Sequence, residues 1–295
     1  MPSLLRYARA ASGAYLALAL AQALGREAVA QSPNRVLDEV VLQVTSVQDS
    51  SQYFVYHYRV LNSASSRGGV AVVELDLSAP RGTGHVALPF TGSLGPSRRD
   101  VPDHVPFGAI APERWLMLVD YKARLVWNVY AVLLAEGAPV SFDSVAPGSV
   151  KSGFGVRSPY LPGVRRFSAM PTEQSCCLKP NDQGELPSPF FFPVRGRTVA
   201  ATVRPQDMTL TILREDLEQA CGLLHWITEA ALCDRLRSAL ERAVAPRPRS
   251  DAAATKGSLR AFLAELEAQH GTGKPVNDNA YWLLRVNGEY LLAHM

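Results

Sequence analysis

Four cysteines are the residues of this 295-residue sequence best suited to covalent chemistry. Cys176 and Cys177 are adjacent, and Cys221 and Cys233 follow further along the chain. A thiolate can serve as a nucleophile or metal ligand, whereas cysteines in an oxidising compartment pair as disulfides. Because there is no Cys-x-x-Cys motif, the sequence favours disulfides over redox chemistry.

No other set of side chains with a catalytic pattern is present. The sequence has no Gly-x-Ser-x-Gly elbow and no His-Glu-x-x-His motif. His57 is the most suggestive of six scattered histidines, because tyrosines surround it. Its neighbours two positions away, Val55 and Arg59, favour an outer strand face and a structural, hydrogen-bonded role. We therefore expect no catalytic residues, no cofactor and no metal ion.

The first thirty residues predict a cleavable signal peptide. Arg6 and Arg9 form a basic start, and residues 14–24 are an apolar stretch too short to cross a bilayer. The small residues that end at Ala30 form a cleavage site, which would leave Gln31 as the first mature residue. An amphipathic first helix of a cytosolic domain is the weaker alternative, because this stretch is apolar all round.

Export changes how the charge is interpreted. The chain has a formal net charge of +3, and removing the signal with its three arginines and one glutamate leaves +1. There is no basic run, so we expect no nucleic-acid partner. No later stretch is apolar enough to span a membrane. These features predict a secreted or periplasmic protein whose partner, a protein or a glycan, is unknown.

Residues 31–204 predict an antiparallel β-sandwich of Ig-like character. Apolar residues alternate with period two in several short runs bounded by turn signals. The runs are 40–44, 53–60, 71–77, 115–119, 124–130, 151–157, 164–169 and 197–203. Gly68 and Gly69 predict a hairpin between the second and third runs, and 120–122 predicts another between the fourth and fifth. A loop over 171–195 leads to the last strand.

Residues 205–295 predict a small helical bundle, so the fold class is α+β by segments. Leucine and other apolar residues recur there at helical spacing. They are Leu217, Ala220, Leu224 and Ile227; Leu232, Leu236 and Leu240; Leu259, Phe262, Leu263 and Leu266; and Leu283, Leu284 and Leu291. Thr228 is a candidate N-cap for the second helix. Gly288 costs the last helix about 1 kcal/mol relative to alanine, which predicts a close helix contact there.

The helical segment also suggests a disulfide pairing. Cys221 falls near the end of the first predicted helix and Cys233 early in the second, across a short turn. Such positions can approach the Cα separation that a disulfide needs, about 4.4–6.8 Å. We favour this pair, with Cys176 and Cys177 forming a vicinal bridge or staying free. Crossed pairing, which would join the 171–195 loop to the helices, is the main alternative.

The region from about Leu217 to Leu292 resembles the FIMAH-type helical module. The resemblance rests on LRSALERA at 236–243, LRAFL at 259–263, LEAQHG at 266–271 and the helix through Leu283 and Leu284. The stretch from Ala146 to Gly163 is similar to uncharacterised exported bacterial sandwich proteins. The resemblance implies a module appended to the C-terminus of an exported bacterial protein, without catalytic residues.

These observations predict an exported, non-enzymatic protein that binds or packs against a partner. One alternative is a carbohydrate- or surface-binding accessory module, suggested by Trp115, Trp127 and Tyr160, although core packing explains those rings better. Another alternative is a cryptic hydrolase, for which the sequence offers no nucleophile.

Overall fold

The computed structural model describes residues 36–50, 53–77, 109–119, 124–129, 143–171, 193–244 and 252–295. Several predictions fall outside the described residues. They are the signal peptide with its Ala30–Gln31 cleavage site, Cys176 and Cys177, the turn at 120–122, and most of the 171–195 loop.

Two antiparallel sheets contain the nine strands of the described chain. The first sheet has the order β1 (Val40–Ser50), β2 (Tyr53–Asn62), β7 (Val150–Ser158) and β4 (Ala109–Ile110). The second has the order β5 (Trp115–Val119), β6 (Arg124–Val129), β3 (Val70–Asp76), β8 (Leu161–Pro171) and β9 (Val194–Val203). All the predicted runs are strands, and β4 is a short addition within a segment predicted as loop.

The strand order is that of a constant-type immunoglobulin sandwich. β1, β2, β7 and β4 occupy the A, B, E and D places, and β3, β8 and β9 occupy the C, F and G places. The β5–β6 pair extends the second sheet beside the C place. The α+β fold class and its sheet-rich, Ig-like N-terminal part are therefore confirmed.

The predicted hairpin between β2 and β3 is wrong. β2 pairs with β1 and β7, whereas β3 pairs with β6 and β8, so the chain crosses between sheets. Gly68 and Gly69 are not among the described glycines with the positive φ that a type I′ turn requires. Instead, a Cβ on Gly68 would lie 2.4 Å from Val36 Cγ1, and one on Gly69 would lie 2.4 Å from Ser144 Oγ. These glycines allow neighbouring chain segments to approach closely at the crossing.

Aromatic side chains fill the space between the sheets. Trp127 is fully buried, with its ring centroid 6.1 Å from that of Tyr58 and 5.6 Å from that of Phe154. Trp115 meets Phe154 edge-on at 4.9 Å. Both indoles donate to backbone oxygens, which satisfies their polar groups in the core. The alternating positions that carry these aromatic rings therefore face the core between the two sheets.

In the described part of the chain, four α-helices follow the sandwich: α1 (Leu210–Cys221), α2 (Ala230–Val244), α3 (Ala252–Ala268) and α4 (Asp278–His294). Thr209 and Asn277 cap α1 and α4, each accepting a backbone N–H with its side chain. Thr228 is not the N-cap of α2, because the helix begins at Ala230 and the first helical bond, from the Cys233 N–H, goes to the carbonyl of Glu229. The amide and hydroxyl of Thr228 instead donate to the carbonyl of Pro275. Leu224 and Ile227 lie in the turn after α1, not in a helix, because α1 ends at Cys221.

Helix α4 attaches the helices to the sandwich, and residues 36–295 form one compact unit. Asn279 Oδ1 accepts the backbone N–H of Val44 on the edge strand β1 at 2.9 Å. The Asn287 Nδ2 group donates to the carbonyl of Pro162 at 3.0 Å. A Cβ on Gly288 would lie 2.8 Å from a methyl of Leu263 in α3, as expected for a close helix contact.

Candidate functional site

A groove of about 670 Å³ crosses the outer face of the second sheet. Strands β3, β6, β8 and β9 supply its walls and floor. Its charged residues are Glu74, Asp76, Arg124, Arg166, Arg195 and Arg197, and its other lining residues are Phe167, Ser168, Met170, Pro193 and Gly196. With four arginines and two carboxylates, the lining is cationic.

Strand register arranges the charged side chains in two rows. In one row Glu74 of β3 lies opposite Ser168 of β8, which lies opposite Arg195 of β9. In the other row Arg124 of β6 lies opposite Asp76 of β3, and Arg166 of β8 lies opposite Arg197 of β9. Directly opposed residues have Cβ atoms about 4.5–5.5 Å apart, and alternate residues along one strand are about 6.8 Å apart. The arginines therefore form a closely spaced cluster on a rigid scaffold.

Glu74 organises one side of the groove. Its Oε2 atom accepts from Arg124 Nη1 at 2.8 Å and from the Ser168 hydroxyl at 2.9 Å. No described residue donates to Oε1, and a carboxylate has about four acceptor positions. Glu74 can therefore still accept hydrogen bonds from a ligand.

Three arginines on the other side of the groove are available to a ligand. Arg166 and Arg195 are exposed and Arg197 is half-buried. None of the three has a hydrogen bond or ion pair with another described residue. Because a guanidinium is always charged and binds carboxylate or phosphate through two N–H groups, this cluster is suited to anions.

The other arginine of β8, Arg165, is part of the sandwich interior. Arg165 points to the opposite face, where its Nε donates to Thr202 Oγ1 at 3.0 Å. Burial lowers the pKa of Arg165 and raises the pKa values of the neighbouring Tyr56 and Tyr58. Alternation along one strand thus separates a structural arginine from a ligand-accessible one.

A second polar cluster joins the helices to the first sheet. Asp278, at the start of α4, accepts from His270 Nε2 at 2.8 Å through Oδ1. Its Oδ2 accepts from Gln43 Nε2 at 3.0 Å and from Arg59 Nη2 at 3.3 Å. The cluster connects β1 and β2 to the start of α4 and to the turn after α3, and each of its four residues is hydrogen-bonded within it. We assign it a structural role.

Tyr281 extends this cluster. Its ring stacks on His270 with centroids 3.7 Å apart, and its hydroxyl donates to Glu267 and accepts from Arg285. Burial, together with the hydrogen bond to Glu267, raises the pKa of Tyr281 to about 12.

The structure brings Cys221 and Cys233 together. They form a disulfide whose Cα atoms are 6.0 Å apart, within the range that disulfides require. Cys221 ends α1 and Cys233 lies in the first turn of α2. Cys176 and Cys177 lie outside the described residues, so their state stays a prediction.

The aromatic residues that suggested a glycan platform do not form one. Trp115 is 5% exposed and Trp127 fully buried, and the carbonyl of half-buried Tyr160 accepts from the Tyr56 hydroxyl. His57 is half-buried on β2, and its structural, hydrogen-bonded role stays a prediction, because no described residue forms a hydrogen bond with its imidazole.

The groove residues were not predicted from the sequence. Glu74 and Asp76 occupy the polar positions of an alternating strand, and Arg166 does so in a later strand. That alternation was the available signal. It shows that each residue points outward, but only the strand order β6-β3-β8-β9 reveals that they are neighbours.

Within the described ranges, no cluster of three or more His, Cys, Asp or Glu side chains could hold a metal ion. None of the helices described is both long and apolar enough to cross a membrane. Comparison with protein-family models and with curated proteins finds no match to this chain.

Proposed function

We propose that this chain is an exported binding protein that holds an anionic partner in the groove on the outer face of its second sheet. The observation that carries the proposal is the cluster of Arg166, Arg195 and Arg197 without an acidic partner among the described residues. The positive charges of unpaired arginines on adjacent strands repel one another and destabilise the sheet. An anionic ligand would relieve that repulsion.

Export is the second part of the proposal. It rests on the signal-like residues 1–30, and the disulfide between Cys221 and Cys233 is what an oxidising compartment would produce. A secreted or periplasmic location follows from both. The FIMAH-like resemblance of the helices belongs to the same proposal, as the C-terminal part of an exported bacterial protein.

A panel of polyanions tests the binding function. Polyglutamate, polygalacturonate and dextran sulfate would be titrated into the purified protein by calorimetry at two salt concentrations. We expect binding to at least one of them, and weaker binding at higher salt because surface charges are screened. The triple variant Arg166→Gln/Arg195→Gln/Arg197→Gln should lose at least about tenfold in affinity, since each charge-assisted hydrogen bond contributes about 1.5–3 kcal/mol.

The control removes the same charge elsewhere. Arg157, Arg214 and Arg260 are exposed and do not line the groove, so their triple glutamine variant should bind as the unmodified protein does. The absence of binding to every polyanion, or an equal loss in both triple variants, would contradict the proposal.

N-terminal sequencing of protein exported by a Gram-negative host should begin at Gln31.

A further inference from the structure

We infer that the partner in the groove is an anionic polysaccharide, whose sugars carry both acidic groups and hydroxyls. This inference rests on the proposed anion-binding function and names the class of ligand. Three properties of the groove support it: its mixed charges, its position on a sheet face, and the chemistry of its apolar residues.

Because the groove carries charges of both signs, its ligand must provide hydrogen-bond donors as well as acidic groups. Arg166, Arg195 and Arg197 are suited to acidic groups, but Glu74 and Asp76 line the same groove and would repel them. Carboxylates are acceptors, so they need donors such as the hydroxyls of a sugar. The unoccupied Oε1 of Glu74 is such an acceptor, and Ser168 adds a hydroxyl beside it. A uronic acid supplies both kinds of group in each unit.

The position on a sheet face disfavours an acidic peptide. The backbone groups of β3 and β8 are used in pairing with their neighbours on both sides. A peptide lying across them would find only side chains for its own N–H and C=O groups. Peptides bound as strands instead add to a sheet edge, which here is β5 or β9, whereas the charged side chains of the groove lie on the face of the sheet.

The apolar residues of the groove disfavour a folded protein partner. The hot spots of protein interfaces are enriched in Trp, Tyr and Arg that pack together in desolvated pockets. Among the described residues, the large apolar side chains that are exposed lie outside the groove: Ile110, Leu116, Val150, Leu223 and Met295. Phe167, which lines the groove, is buried. The described groove has arginines but no exposed aromatic ring to pack beside them, and its partly exposed apolar residues are only Met170 and Pro193. A hydrophilic chain therefore fits this surface better than a folded protein does.

A single substitution with opposite effects on two ligands tests the inference. Glu74→Gln removes a negative charge but keeps the shape of the side chain. Polygalacturonate oligomers should bind about fivefold more weakly, because hydroxyls lose a charged acceptor worth about 1 kcal/mol more than a neutral one. Polyglutamate, which lacks hydroxyls, should bind equally or more tightly. Dextran sulfate distinguishes sulfate from carboxylate as the acidic group.

Chain length is the second measurement, because an open groove should take several sugar units and affinity should rise from dimer to octamer. Free galacturonate should compete weakly.

Tighter binding of polyglutamate than of either polysaccharide, or equal weakening of both ligands by Glu74→Gln, would overturn this inference while leaving the anion-binding function intact. A circular dichroism spectrum and melting temperature like those of the unmodified protein would show that Glu74→Gln is folded. An unfolded Glu74→Gln would be replaced by Ser168→Ala, which removes a groove hydroxyl and should again weaken polysaccharide binding selectively.

Discussion

At the scale of single residues, Tyr281 shows how packing changes an ionisation. Its ordinary pKa is 10.0, and burial with the Glu267 hydrogen bond raises it to about 12. The folded state therefore holds a proton that the unfolded state releases between these two values. The resulting stabilisation is complete below pH 10 and is lost as the pH rises toward 12.

This difference in pKa predicts that the free energies of unfolding of the protein and its Tyr281→Phe variant differ by an amount that depends on pH. At neutral pH the variant should be less stable by about 1 kcal/mol, because it lacks the hydroxyl that joins Glu267 and Arg285. Urea unfolding at increasing pH should show the gap narrowing above pH 10. Tyr56 and Tyr58, whose pKa values are also raised, remain in both proteins and serve as an internal control. A gap that does not change with pH would contradict the prediction.

At the scale of elements, the disulfide holds α1 and α2 against each other across a turn. Cys221 and Cys233 close a short loop, and Arg237 of α2 also pairs with Glu218 of α1 at 2.7 Å. Arg237 binds Glu218 through two N–H groups, but the pair is partly exposed, and exposed ion pairs contribute about 0.2–1 kcal/mol. The covalent bond is therefore the stronger of these two links between the helices.

Removing the link should destabilise the protein by about 2–4 kcal/mol, because a closed loop restricts the unfolded chain. The double variant Cys221→Ser/Cys233→Ser should therefore unfold at a lower urea concentration. The unmodified protein treated with a reductant should behave like this variant. Peptide mapping without reduction should recover the 221–233 link, and a link from either cysteine to Cys176 or Cys177 would contradict the pairing.

Local patterns explain why so much of the architecture could be predicted. Alternation identified the strands, and helical spacing identified the C-terminal helices, since both depend on neighbours in the sequence. The β2–β3 connection was misjudged because two glycines suit a tight turn and a close crossing equally well. The groove could not be predicted in this way, because its residues are as far apart in the sequence as Glu74 and Arg197. Only the order of the strands makes them neighbours.

At the scale of the whole molecule, helix α4 connects the sandwich, whose apolar residues alternate, to the other helices, whose apolar residues recur at helical spacing. Its side chains satisfy polar groups of the sandwich at two places, Val44 on β1 and Pro162 at the start of β8. The Asn279 side chain occupies the position that a neighbouring strand would otherwise take on the edge of β1.

Asn279→Ala should therefore cause both instability and self-association. An edge amide without an acceptor costs about 1–3 kcal/mol when buried, and an open strand edge pairs with other chains. Thr209→Ala is the control, because loss of the α1 cap costs about 0.5–2 kcal/mol without affecting β1. Light scattering at equal unfolded fraction should detect oligomers only for Asn279→Ala. Equal scattering from both variants would show that instability alone causes association.

The bond between Val44 and Asn279 also has a consequence for the order in which the protein is made. The two residues are 235 positions apart, so β1 leaves the ribosome, and any translocation pore, long before the helix that covers its edge. During that interval the strand is open to pairing with other nascent chains. We expect biogenesis to depend on a holding chaperone until α4 docks, and stalling of synthesis before residue 278 should leave an aggregation-prone sandwich.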